Sequence, residues 1–208
     1  HFHLGQAGDQ SLVRELIGRY QIDSVIHFAG SIVVPESVAD PLAYYENNTV
    51  TSRNLIEACV RSGVKNFIFS STAAVYGDPA TNPVTEAVAT APASPYGRSK
   101  LMTEWMLEDA SRAHDFRFIA LRYFNVAGAD PSGRTGQSTP KATHLIKRAC
   151  QVALGRVPVL DIFGTDFPTK DGTGVRDYIH VSDLVAAHAV ALDHLRQGGR
   201  SGARLRLF

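Results

Sequence analysis

The chain has 208 residues, of which 44% are hydrophobic and 20% charged, with a formal net charge of +1. That balance fits a globular protein of one domain or slightly more, and excludes collagen-like and disordered classes. Near-zero charge leaves no electrostatic footprint for nucleic acid. No apolar run reaches the ~18 residues that cross a bilayer, and no basic segment followed by an apolar one opens the chain.

Helical spacing of Leu12, Val13, Leu16 and Ile17 predicts a helix over Ser11 to Tyr20. The apolar run from Asp23 to Gly30 reads as a buried strand. A long helix is predicted from Pro41 to Ser62, stopped by Gly63. Cys59 lies in it, and Cys150 lies in a later helical segment. Neither has metal-type spacing, so both read as buried, reduced thiols, which suggests the cytoplasm. Val64 to Ser71 is a second strand, and residues 78–95 are a surface excursion rich in Pro, Thr and Ala. A helix follows from Tyr96 to His114, then a third strand from Phe116 to Val126. Later segments predict a helix near 140–154, a strand near 157–163 and a helix near 181–196. Both ends read as cut: the chain opens on His1, and the tail from Gly198 to Phe208 has no clear helical or strand period.

Alternating strands and helices imply a doubly wound α/β fold on a parallel sheet. Ligands sit at the carboxyl ends of such strands. The residues standing there carry the chemistry: Ala29-Gly30-Ser31, Ser70-Ser71-Thr72 and Phe124-Asn125. Tyr96 and Lys100, in Tyr-Gly-Arg-Ser-Lys, are four apart and share one helical face. A phenol with a pKa near 10 is a poor base at neutral pH, and a nearby ammonium favours its ionised form. The pair suits movement of an alcohol proton, with Thr72 hydrogen-bonding the same oxygen. Each piece alone has a plainer reading: Tyr96 and Lys100 as an exposed helical pair, and the Ser/Thr cluster as a helix cap. Phe28 and Ala29 also read as core, and Arg176 as the partner of Asp171 or Asp177. The conjunction, in order and at strand ends, favours a site.

The segments His27-Phe-Ala-Gly30, Pro35-Glu-Ser-Val38, Tyr44-Tyr-Glu-Asn-Asn48, Asn66 to Ser71, Ser94-Pro-Tyr-Gly97, Arg122-Tyr-Phe-Asn125 and Asp171 to His180 carry a resemblance. They resemble the extended short-chain dehydrogenase/reductase family, and within it the UDP-glucose 4-epimerases, from about Asp23 to about Leu195. The resemblance implies a Rossmann-like fold lacking its first βα turn. Residues 1–126 would form a partial NAD-binding domain with the catalytic residues. Residues 127–208 would form a partial substrate region and a returning helix. It implies interconversion of UDP-glucose and UDP-galactose by transient oxidation at sugar C4 with tightly bound NAD. Tyr96 would take the 4-hydroxyl proton, Thr72 would bind the same hydroxyl, and Lys100 would lower the Tyr96 pKa and hold the nicotinamide ribose. Phe28, Ala29, Gly30, Asn47, Ser70, Tyr96, Lys100 and Phe124 fall at cofactor positions. Thr72, Asn125, His144 and Arg176 fall at positions for a UDP-hexose, with Arg176 matched to the diphosphate. The full-length relatives imply a homodimer through the Tyr96 helix, where Leu101, Met102, Trp105 and Met106 read equally as core.

Sugar-nucleotide 4,6-dehydratases carry Asp and Glu straight after the Thr, to eliminate water. Ala73 and Ala74 stand there and have no proton to give, which disfavours dehydration. Other 4-epimerases, acting on GlcNAc or pentose nucleotides, remain open, as do an inactive remnant and a dinucleotide sensor. The Gly-rich turn that seats the pyrophosphate on a helix N-terminus is absent from these residues. Gln6 and Ile32 replace a family Asp and a Lys found in some epimerases. Poor NAD affinity is expected of this chain alone.

Overall fold

The computed structural model describes residues 1–139 and 144–207, and they divide into two compact units. The first joins 1–123 to 187–207, and the second spans 124–186.

The first unit holds a four-stranded, wholly parallel sheet in the order β1-β2-β3-β6. The strands are β1 (Ser24–His27), β2 (Asn66–Ser70), β3 (Arg117–Tyr123) and β6 (Ala203–Leu207). Parallel neighbours need crossovers. Helices α2 (Val34–Ala39), α3 (Pro41–Tyr44) and α4 (Thr51–Arg61) lie between β1 and β2. Helix α5 (Pro95–Ala113) connects β2 to β3, and α7 (Val181–Arg196) precedes β6. Side chains alternate across a strand, and the core divides accordingly. Phe67, Phe69, Phe118 and Ala120 face Ile17 of α1 (Gln10–Tyr20), Leu55, Ile56 and Cys59 of α4, and Leu107 of α5. Ile68, Ile119 and Leu121 face the other way, onto Ala191 and Leu195 of α7. Helices therefore cover both faces. Every residue of β2 is buried, as a central parallel strand requires.

Local chemistry sets the helix starts. Asp9 caps α1 by accepting from the Leu12 N–H, Asp40 caps α3 from Ala43, and Ser94 caps α5 from Gly97. Pro41 and Pro95 open their helices where a missing N–H costs nothing.

The structure corrects several expectations. The single helix expected over Pro41 to Ser62 is three pieces: α3, a π-helical stretch Tyr45–Val50, and α4. The expected third strand divides as well: β3 ends at Tyr123, and β4 (Asn125–Ala127) pairs in parallel with β5 (Tyr178–His180) in the second unit. Residues 157–163 form no strand. Pro158 lacks a donor, and Ile162 and Phe163 are exposed, so the apolar run has no ladder to join. The helix near 140–154 is α6 (Leu145–Ala153), and positions 140–143 of that expectation lie outside the described residues. Cys150 on α6 is exposed, whereas Cys59 is buried as expected. The tail is not patternless: after a turn at Gly202 (φ 80°), Ala203–Leu207 pairs with Ile119–Tyr123. No helix among the described residues is long and apolar enough to cross a membrane.

Candidate active site

The carboxyl ends of β1 and β2 and the first turns of α5 bring together most of the residues singled out in the first unit. β2 ends on Ser70, and the chain runs on through Ser71 and Thr72, all three buried, into a 3₁₀ turn over Ala73–Tyr76. The Thr72 hydroxyl oxygen accepts from the Ala74 N–H at 3.1 Å and so caps that turn. It also makes a side-chain hydrogen bond with Tyr96. The cap and the site reading are thus both true of Thr72.

Lys100 is buried, and its ammonium donates to the Ser70 carbonyl at 3.1 Å. It stands 5.0 Å from the centre of the Phe69 ring. Burial lowers its pKa to about 8, which makes it a weakly held proton near neutral pH. Burial raises the Tyr96 pKa, the Thr72 bond opposes that rise, and Tyr123 and Tyr44 add to it. The expectation that Lys100 depresses the Tyr96 pKa therefore gives way to a different arrangement. The ammonium is engaged by a backbone carbonyl, and desolvation governs the phenol.

Phe28, Ala29 and Gly30 follow β1 and are exposed rather than core. The Phe28 ring lies 4.7 Å from that of His188. Gly30 has φ 151°, and a Cβ built on it would stand 3.0 Å from Asn48 Oδ1 and 3.5 Å from Lys100 Nζ. A side chain there would crowd Asn48 and strain the backbone, and glycine leaves bare backbone beside the lysine. Asn47 is exposed and donates to the Ser31 hydroxyl at 2.8 Å. Its neighbour Asn48, not singled out from sequence, is the buried one. It accepts from the Ser31 N–H at 2.7 Å and donates to the Ser31 carbonyl and the Ser99 hydroxyl, both at 3.0 Å. The π-helical stretch sets which of the two asparagines points inward, a change of register that no helical periodicity announces.

In the second unit, Asn125 and His144 line one cleft of about 350 Å³ with Gln137, Lys147, Cys150 and Tyr178. Asn125 donates to the Asp177 carbonyl at 3.0 Å, and His144 Nδ1 pairs with Gln137 at 2.9 Å. Phe124 is half-exposed. Arg176 is exposed and lies outside that lining, its guanidinium donating to the Val175 carbonyl. A larger cleft, of about 690 Å³, is lined by Asp23 and Gly63 before β1 and β2, at the end of the sheet opposite the Thr72 cluster.

A doubly wound parallel sheet with bare backbone after one strand and a Thr–Tyr–Lys cluster after the next places polar groups at the carboxyl ends of the strands, where such sheets receive ligands. The sequence matches the profile of the NAD dependent epimerase/dehydratase family over residues 1–203, and the chain belongs to that family. It is 61% identical to the UDP-glucose 4-epimerase of Azospirillum brasilense over 197 residues, covering 95% of this chain and 57% of that protein. The UDP-glucose 4-epimerase of Brucella ovis, solved in complex with NAD, superposes with a TM-score of 0.95 at 45% identity, covering 99% of this chain and 63% of that one. The UDP-Glc/GlcNAc 4-epimerase of Campylobacter jejuni superposes at 0.81 with 50% identity, covering 99% and 62%. The chain thus spans about three-fifths of the length of the relatives it matches.

Proposed function

We propose that this chain carries the catalytic centre of a UDP-glucose 4-epimerase, interconverting UDP-glucose and UDP-galactose with NAD. The observation that carries the reading is the meeting of Thr72 with Tyr96 beside a buried Lys100 at the strand ends. The names of its relatives support it.

The residues present fit the nicotinamide ribose end of NAD. Gly30 leaves a cradle that a Cβ would fill, 3.5 Å from Lys100 Nζ. Phe28, Ala29, Gly30, Asn47, Ser70, Lys100 and Phe124 would hold the cofactor, which when bound supplies reversible oxidation at the sugar carbon. Tyr96 takes and returns the proton of the sugar 4-hydroxyl, and Thr72 hydrogen-bonds that oxygen as charge develops on it. Lys100, with a pKa near 8, offers a mobile proton and holds the nicotinamide ribose. Asn125, His144 and Arg176 bind the UDP-hexose, with Arg176 on the diphosphate. Ala73 and Ala74 supply no acid, so no water is eliminated from the sugar.

Residues 1–126 carry the cofactor and catalytic side, and 127–208 the substrate region together with a helix that returns to the first unit. We place the protein in the cytoplasm, on its two free thiols. Its full-length form pairs as a homodimer along α5, where Trp105 is exposed. A UDP-GlcNAc activity is a second reading, favoured by the 50% identity to the Campylobacter jejuni enzyme.

The test is incubation of the folded chain with UDP-galactose or UDP-GlcNAc and an excess of NAD that offsets the poor affinity expected of it, followed by NMR. UDP-glucose should form, and Tyr96→Phe should slow it by about 10²–10⁴-fold. A folded chain that forms no product, or a Tyr96→Phe variant of full activity, overturns the assignment for this chain.

A further inference from the structure

Glu104 is the most deeply buried carboxylate described, with 0% exposure, and its partners converge on Thr72 from both sides. Ser71, the residue before Thr72, donates its hydroxyl to Glu104 Oε1. Arg122, on β3, grips both carboxylate oxygens and donates at 2.8 Å to the hydroxyl of Tyr76, the last residue of the 3₁₀ turn that Thr72 caps. Arg204, on β6, adds an ion pair to Oε2 at 3.3 Å. The two flanks of Thr72 therefore lead to one carboxylate.

That carboxylate lies on α5. Tyr96, Lys100 and Glu104 are successive residues at four-residue spacing, and so share a helical face. The same helix thus presents the Tyr96 phenol to Thr72 and holds the segment on which Thr72 stands. A buried ion pair is a poor device for stability, since well-packed apolar side chains fill such a place at lower electrostatic cost. Its directional bonds fix one geometry instead.

We propose that Glu104, with Arg122 as its intermediary, is a positioning residue that sets the Thr72–Tyr96 contact. The inference rests on the reading of Thr72 and Tyr96 as the proton-handling pair. It predicts that loss of the Glu104 charge loosens that contact without touching substrate.

The test is Glu104→Gln, which keeps the shape and removes the charge, in protein labelled at the tyrosine ring carbon Cζ. Tyr96 is assigned by its absence in Tyr96→Phe. Weakening of the Thr72 bond should raise the Tyr96 titration midpoint by at least about 0.5 pH. In the UDP-galactose assay, kcat should fall at least about tenfold with KM within about twofold. A wild-type chain without turnover defeats the assigned reaction, and the titration alone then decides the positioning role. A Tyr96 midpoint unmoved in folded Glu104→Gln overturns the proposal. If that variant does not fold, Ser71→Ala takes its place, deleting one hydroxyl. An upward shift supports the proposal, and an unmoved midpoint overturns it.

Discussion

The Lys100 ammonium donates to the carbonyl of Ser70 at 3.1 Å, which ties the first turns of α5 to the end of β2. One bond thus holds the helix that carries Tyr96 against the strand that delivers Thr72. It does so with a charge that burial disfavours.

That cost makes stability depend on pH. The Lys100 pKa falls from 10.5 to about 8 on folding. Between those values the unfolded chain holds a proton that the native chain has released, so stability rises with pH. The rise amounts to about 3 kcal/mol across the window. Urea unfolding at pH 8 and pH 10 should show it for the wild type and not for Lys100→Met. Parallel curves for the two proteins would remove Lys100 as its source.

His27 gives a second limb of the same sign on the acid side. Its ring is buried between Phe67 and Phe69, and Nε2 pairs with the Ser52 hydroxyl at 2.8 Å. Burial first, and Lys100 second, lower its pKa from 6.5 to about 4. Below pH 6.5 the unfolded chain takes a proton that the native chain refuses, so stability falls as pH falls toward 4, by about 3 kcal/mol in all. His27→Gln should flatten this part of the profile. An unchanged slope between pH 6.5 and 4.5 would count against it.

At Gly30 the backbone and its neighbours both oppose a side chain. Alanine would hold φ near 151° and press on Asn48 Oδ1 at 3.0 Å, an oxygen already bonded to the Ser31 N–H. Gly30→Ala should lower stability by roughly 1–3 kcal/mol, as read from denaturant midpoints. A variant as stable as the wild type would show that the β1 end is free to relax.

The two cysteines should separate by reactivity. Cys150 is exposed, while Cys59 is fully buried with its pKa pushed up to about 12. A thiol reagent should modify one cysteine per native chain quickly and the second only on unfolding. Rapid loss of both thiols without denaturant would contradict the packing of α4.

The order of strands and helices was legible in the sequence because both periods are local. A fully buried parallel strand reads as an unbroken apolar run, as Phe67, Ile68 and Phe69 do, and an amphipathic helix repeats every 3.6 residues. The Tyr96–Lys100 spacing belongs to the same class, since a helix places residues four apart on one face whatever surrounds it. The tertiary structure decided what depends on partners distant in sequence. It chose Asn48 over Asn47 as the inward amide, through a π-helical stretch that shifts the register. It made a strand of Ala203–Leu207, where β3 offered an edge, and none of 157–163. It also joined Glu104 to Arg122 and Ser71, which no spacing rule connects. Glu104 was not singled out from sequence. Only the packing of α5 onto the sheet excludes water from it, and exclusion of water is what gives its bonds their force.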